Sequence, residues 1–380
     1  MGFALISAGL RTTPALDLYF PEYSSHRGLA SNLKCHIVIK FLRRFQYSGT
    51  YAIVPIGVVV PVFLLLCSDL SAAEWSAIAE AKILATDNVF ELSASRRLEL
   101  TEDPSQPVVS SITRLSDIVW QPSIDLRRTT SSALGLSELS FKADGFLYTN
   151  NPTFNHGDYR AQLRQQVASN TWLLFRYRYV PNLFLGPNFE RQSGTQLLTE
   201  ERVTEHAWRM HVERKLNDRW TTTLVGRYGL RFYNEMFSER DTHFYTIGSS
   251  VQFQATSWAR FTVDYLYELG LADGRNETQF KDDVSYRQHF VSLGTLFQLT
   301  QPLSLELSYA YRMKQFTSSV IGDPFRGTED SLHQGTAELH YDLSAAARLT
   351  LGFQRTQRSS SLASRDFFNT NTSLALQCRF

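Results

Sequence analysis

Strict alternation of apolar and polar residues recurs along most of the chain. From Pro302 onward, Leu303, Leu305, Leu307, Tyr309, Tyr311 and Met313 alternate with Ser304, Glu306, Ser308, Ala310, Arg312 and Lys314. A period of two marks a strand with one apolar and one wet face. The same rhythm sets Phe261, Val263, Tyr265, Tyr267 and Leu269 against Arg260, Thr262, Asp264 and Glu268. It also sets Leu173, Phe175, Tyr177 and Tyr179 against Arg176 and Arg178, and Trp208, Met210 and Val212 against Arg209, His211 and Glu213. Fourteen strands are predicted, at 76–90, 115–128, 135–149, 157–169, 171–183, 203–216, 219–234, 242–255, 257–272, 284–299, 302–317, 331–343, 347–358 and 368–380. The first is alanine-rich, and Pro122 sits inside the second. Globular strands average about 5 to 6 residues; segments more than twice that length fit tilted strands that cross a bilayer.

The joins carry independent information. They are very short around Asn170, Asn217-Asp218, Thr256, Gln301 and Ala345-Ala346, and long and polar around 150–156, 184–202, 235–241, 273–283, 318–330 and 359–367. Short and long joins alternate, which an up-and-down barrel with tight periplasmic turns and longer external loops produces. A Greek-key sandwich has no reason to do so. The fold class expected is therefore all-β: a closed antiparallel up-and-down transmembrane β-barrel of about 14 strands, lodged in the bacterial outer membrane. In the last segment Thr372, Leu374, Leu376, Cys378 and Phe380 share one face and Asn371, Ser373, Ala375, Gln377 and Arg379 the other. With both termini in the periplasm the strand number must be even, which fourteen satisfies.

The amino-terminal part reads differently. Ala52 to Cys67 is one apolar run, preceded by Lys40, Arg43 and Arg44 and followed by Ser71-Ala72-Ala73. A basic flank, an apolar middle and a small-residue exit are the parts of a secretory signal peptide. Pro55 and Pro61 and its shortness argue against a spanning helix, which needs about 20 residues. The expected organisation is a leader at 1–41, which reads as an upstream extension from a mis-set gene start, a signal peptide at 42–73 and an outer-membrane β-barrel at 74–380.

Composition sharpens the picture at three points. Net charge is +1, which removes the usual electrostatic case for a nucleic-acid partner. Cys35, Cys67 and Cys378 are too few and too scattered for a disulfide scaffold or a structural zinc site, so neither metal nor cofactor is expected. Aromatic residues make up 13% of the chain. A membrane barrel uses them at its two water–lipid boundaries: Trp172, Trp220 and Trp258 near the short turns, and Tyr148, Tyr179, Phe232 and Tyr233 near the loops.

Reading from Ala85, the chain runs ATDNVFELSASRR and later SDIVWQPSIDL. An Asp-Asn-Val-Phe element near the expected mature start, a following Ser-Asp and a terminal Phe resemble the β-barrel porin 2 family of Gram-negative bacteria. The resemblance implies an outer-membrane barrel, in some members associated with exopolysaccharide export. Phe380, in phase with the outward set, resembles the terminal aromatic that the barrel assembly machinery reads.

Catalytic patterns are missing. There is no Walker loop, dinucleotide glycine pattern, Cys pair or His-Glu-x-x-His. His289 and Ser292, three apart in a strand, point to opposite faces and cannot share a proton; His206 and His211 fail as a metal pair for the same reason. The polar face supplies the candidate site instead. It holds Arg160, Arg164, Arg176, Arg178, Arg209, Arg227 and Arg231 on the fourth to seventh strands, and Asp264, Glu268, Glu306, Glu338 and Asp342 on the ninth to twelfth, with Arg312 and Lys314 as exceptions there. Two opposed walls of this kind would make a transverse field across a pore that sorts polar solutes. The function expected is a non-enzymatic channel for small hydrophilic solutes or an export pore for a polysaccharide, with outer-membrane lipid as its surroundings. The alternative is a closed structural or enzymatic barrel.

Overall fold

The computed structural model describes residues 74–89, 115–132, 135–194, 197–361 and 367–380. The leader at 1–41 and the signal peptide at 42–73 lie outside the described residues. The described chain forms β1 (Glu74–Thr86), β2 (Asp117–Ser132), β3 (Gly135–Tyr148), β4 (His156–Ala168), β5 (Thr171–Phe189), β6 (Leu198–Lys215) and β7 (Trp220–Tyr233). It continues through β8 (Thr242–Gln254), β9 (Ala259–Ala272), β10 (Tyr286–Gln298), β11 (Leu303–Phe316), β12 (Glu329–Ser344), β13 (Ala347–Ser360) and β14 (Phe367–Arg379). Short 3-10 turns at Pro152–Phe154, Glu235–Arg240 and Asp273–Arg275 lie in the long loops.

Each strand pairs antiparallel with its sequence neighbours, and β1 pairs with β14 from Ile78↔Arg379 to Thr86↔Asn371, so the sheet closes into a fourteen-stranded barrel. Closure leaves no free edge, which is what permits a sheet to sit in lipid. The Phe380 amide donates to Ala77 O at 2.8 Å and finishes the seam at the short-turn end. At the long-loop end, Asp87 Oδ1 accepts from the Thr370 amide at 2.8 Å and from Asn369 Nδ2 at 3.1 Å. Asp117 similarly accepts from the Asn150 and Asn151 amides, at 3.0 and 2.9 Å. The Asp-Asn-Val and Ser-Asp elements of the sequence thus tie the first two strands into the barrel rim.

The surface is inside out. Leu224 and Ile247 are 62% and 68% exposed, whereas Arg227 and Arg231 on the opposite phase are 7% and 2% exposed. Water would reverse that preference, and a bilayer demands it. This barrel, with Leu and aromatic residues outside and charges inside, is an outer-membrane barrel. Among the described residues no helix is long and apolar enough to cross a membrane.

Two expectations need correction. The join placed at 184–202 is mostly strand: β5 runs to Phe189 and β6 starts at Leu198. Register shifts between Val180 and Leu183 and between Phe184 and Gly186, with Asn182 at φ 48°, break the alternation there without ending the pairing. Secondly, Trp172, Tyr148 and Tyr233 take the inward phase: Trp172 stacks under Arg164 at 4.1 Å, and Tyr148 and Tyr233 are 4% and 7% exposed. Trp220, Trp258 and Phe232 are exposed, as a boundary aromatic should be. Pro122, inside the expected second strand, is accommodated within β2. It pairs in register with Ala81, and Gly145 of β3 makes room for its ring, since a Cβ there would lie 3.3 Å from Pro122 Cγ.

Candidate functional site in the barrel lumen

Every charged residue expected to line the lumen lies on the inward phase of its strand. Arg176, Arg209, Arg227, Arg231, Asp264, Glu268, Glu306 and Glu338 are buried, while Arg160, Arg164, Arg178 and Asp342 are intermediate. Cross-strand pairing brings Arg176, Arg209 and Arg227 into one row, through Arg176↔Arg209 and Arg209↔Arg227. Like charges directly opposite one another are unfavourable on a sheet unless something negative lies near.

The row ends at a buried cluster on β6 to β10. Gly229 faces Phe244, and a Cβ on Gly229 would lie 2.0 Å from Phe244 Cζ; Gly270 faces Tyr286 with an equivalent gap of 2.2 Å. Two glycine slots therefore seat two rings flat against the wall. Above Phe244 lie the guanidinium groups of Arg227 and Arg231, at 4.7 and 4.4 Å from its centroid. The Glu268 carboxylate accepts from Arg227 Nη2, from Thr246 Oγ1 at 2.6 Å and from the Tyr286 hydroxyl at 2.6 Å. Arg231 donates Nη1 to Tyr286 Oη at 2.8 Å and Nε to Glu205 at 3.2 Å. Buried charges demand this degree of pairing and hydrogen bonding.

Elsewhere the expected segregation into a basic and an acidic wall is not what the structure shows. Asp158 on the arginine wall accepts from Arg160 Nη2 at 2.8 Å and Arg178 Nη2 at 2.6 Å, and Glu213 pairs with Arg164 at 2.9 Å. On the other side Arg348 pairs with Asp342 at 2.6 Å and Arg358 with Asp330 at 2.6 Å, while His340 Nε2 lies 3.6 Å from Glu306. Acids and bases interleave because adjacent inward positions can neutralise each other over one or two strands, which a low-dielectric wall rewards.

The long loops over β5 to β12 are cross-tied. Arg240 donates Nε to Asp282 Oδ2 at 2.6 Å and Nη1 to Glu201 Oε1 at 2.7 Å. Gln192 Nε2 reaches Ser238 Oγ at 2.8 Å and Glu239 Oε2 at 2.6 Å, and the Asp283 amide donates to Asp323 Oδ2 at 2.9 Å. Phe237 and Val284 are fully buried beneath these ties. Burial, with Asp282 alongside, pushes the Glu239 carboxyl up to about 7. Burial likewise pushes Asp241 up to about 6, against the lowering effect of the Tyr233 amide it accepts from. None of Arg240, Asp282, Glu239, Phe244 or Tyr286 was singled out from sequence; an isolated loop charge carries no signal until its partner, some forty residues away, is placed beside it.

His289 faces outward and Ser292 inward, where its hydroxyl donates to Asp264 Oδ2 at 2.6 Å. Among the described residues no group of three or more His, Cys, Asp or Glu side chains is placed to hold a metal ion. No family model and no curated protein matches the chain. Solved structures similar to it include the outer membrane channel DcaP of Acinetobacter baumannii, at TM-score 0.49 and 9% identity over 82% of this chain and 99% of that one. An anion-selective porin from Comamonas acidovorans scores 0.44 at 8% identity, over 81% and 99% of the two chains. A bacterial polysaccharide outer membrane secretin scores 0.44 at 8%, over 80% and 98%. Placement of this protein in the outer membrane rests on its own inside-out surface.

Proposed function

We propose that the protein is an outer-membrane channel for small hydrophilic solutes, with a modest preference for anions set by the Arg176–Arg209–Arg227 row. The observation that carries this reading is a closed fourteen-stranded barrel whose inward phase carries charged side chains on most strands, β8 and β10 being polar without charge. Eight strands are filled by their own side chains, so a barrel of fourteen has interior room beyond its wall residues. With strands about 4.8 Å apart and tilted by about 40°, its backbone is about 28 Å across. Most tyrosines of β5 to β12 face lipid, which leaves few stacking surfaces for sugar rings inside and favours small solutes over a polysaccharide. Interleaved acids hold the net selectivity down. Pore lining by the remaining acidic and basic residues, and the reading of Phe380 by the assembly machinery, belong to the same proposal.

Reversal potentials in planar bilayers test it. Changing Arg176→Gln and Arg209→Gln together removes two positive charges from the lumen and shifts the reversal potential toward cations, most at low salt where screening is weakest. An unchanged reversal potential in a conducting pore overturns the assignment of selectivity to this row. A second reading, a closed barrel, is favoured by the burial of Arg231, Arg312 and Lys314, which are 2%, 1% and 0% exposed. A barrel that never conducts decides for it.

A further inference from the structure

Four hairpins carry the same pair on their lipid-facing side. Tyr177 Oη lies 2.7 Å from His206 Nδ1 across β5 and β6, and Tyr228 Oη lies 2.9 Å from His243 Nδ1 across β7 and β8. Tyr265 and His289 repeat it at 2.9 Å across β9 and β10, and Tyr309 and His333 at 2.6 Å across β11 and β12. In every case the histidine sits diagonally, directly opposite the residue two positions beyond the tyrosine: Tyr179↔His206, Leu230↔His243, Tyr267↔His289 and Tyr311↔His333. All eight residues are on the outward phase, opposite to Arg176, Glu205, Arg227, Thr246, Asp264, Gln288, Ala310 and Gln334. The rings pack in three groups along the belt: Tyr177, His206, Trp208, Tyr228 and Tyr245; Tyr265, Tyr267 and His289; and Tyr309, Tyr311 and His333.

The pairs also share one height. Tyr177, Tyr265 and Tyr309 stand six residues from the first residue of β5, β9 and β11, and Tyr228 stands eight from the first residue of β7. At about 3.3 Å per residue and a tilt of about 40°, the imidazoles lie about 20 to 25 Å above the short-turn ends, close to the height of the apolar band of such barrels. Trp220 and Trp258 mark the other boundary. In the tautomer in which the tyrosine hydroxyl donates to Nδ1, the imidazole proton sits on Nε2. Hydrocarbon offers that N–H no acceptor, so the ring belongs where headgroup oxygens begin. Directly outward, Arg287 follows two residues above His289, and Arg202 four above His206; Arg202 pairs with Glu200 at 3.0 Å, and Arg287 donates to Gln315, which donates in turn to Glu329.

We infer that the Tyr–His belt is a lipid-docking surface, in which four imidazole Nε2–H groups at one height donate to headgroup phosphates of the outer leaflet. The belt covers β5 to β12 and binds the phosphate, with Arg202 and Arg287 supplying positive charge at its outer margin. It stands independently of the channel reading.

The test uses the full barrel refolded in detergent, incubated with a diphosphorylated glycolipid or with its phosphate-free counterpart of equal chain length, washed, and weighed by native mass spectrometry. The unaltered barrel retains the phosphorylated lipid preferentially. Replacing His206, His243, His289 and His333 by Phe keeps the rings and removes the donors, and the preference falls by about tenfold. Should the fourfold variant fail to fold, judged by heat-modifiable gel mobility, His243→Phe with His333→Phe removes the two exposed donors and lowers the preference by about half on a logarithmic scale. Equal retention of the two lipids by the unaltered barrel, or unchanged preference in the variants, overturns the inference. So does loss of a specific oligomer in place of loss of lipid, since that would make the belt a contact between copies of the chain.

Discussion

Glu268→Gln removes one charge from the centre of the lumenal cluster while keeping the shape of the side chain. The carboxylate is 2% exposed and holds Arg227, Arg231, Thr246 and Tyr286 together, with Arg231 Nη2 at 3.9 Å and Arg227 in direct contact. Each contact between opposite charges near 4 Å is worth about 4 kcal/mol at an effective dielectric of 20. Solvation of the freed arginines and the amide oxygen, which still accepts, returns part of this. Removing one partner of a buried pair costs about 3 to 5 kcal/mol in measured cases. The expected loss of unfolding free energy is in that range, read from urea titrations of the barrel in lipid vesicles by tryptophan fluorescence. Arg227→Gln added to Glu268→Gln removes one of the stranded charges, so the double variant loses less than the sum of the two single ones. A loss below about 1 kcal/mol for Glu268→Gln, the size of a surface pair, refutes the claim that this cluster is a desolvated network.

Gly229→Ala puts a Cβ 2.0 Å from the Phe244 ring, and the displaced ring costs about 1 to 3 kcal/mol, checked by the same titration; Gly226→Ala on the outward phase, with nothing within 4 Å, has a much smaller effect. Leu307→Arg places a charge on the lipid face of β11 and costs about 2 to 4 kcal/mol of folding into lipid, against a smaller loss for Glu306→Gln on the inward phase; equal losses would contradict the facing assigned to this strand. The loop ties respond to pH. Because Glu239 is held near 7 when tied down, against an ordinary 4.5, the tied state binds its proton more tightly. That contribution is complete below about 4.5 and is lost as pH rises through 7, so hydrogen exchange at 235–241, corrected for intrinsic rates, is faster at pH 8 than at pH 5. Glu239→Gln flattens the difference.

Strand number, order and facing were legible because lipid on one side and polar groups on the other force a period of two on every strand, as in Leu303 to Lys314. Turn rhythm then separated the two ends of the barrel. Alternation failed where backbone geometry intervened: Pro181, Asn182, Gly186 and Pro187 hid the outer part of β5 because bulges shift the phase without ending the ladder. At the rims, Trp172, Tyr148 and Tyr233 misled because an aromatic ring is equally at home at a lipid boundary and on the inward side, as Trp172 is under Arg164. The inward charges were readable one by one, but their partners were not. Arg231 meets Tyr286 three strands away through the curvature of the barrel, and Arg240 meets Asp282 between two loops. The Tyr–His pairs are diagonal contacts, which need the register to be seen.

Current through single barrels in a planar bilayer tests the channel reading most directly, with the unaltered protein compared with a variant whose loop ties are cut by Arg240→Ala and Gln192→Ala. Discrete conductance steps from the unaltered barrel, and larger or more frequent steps once the ties are cut, are the predicted result. Silence from both, in preparations shown to be folded by their heat-modifiable mobility, would contradict a channel and leave a closed barrel.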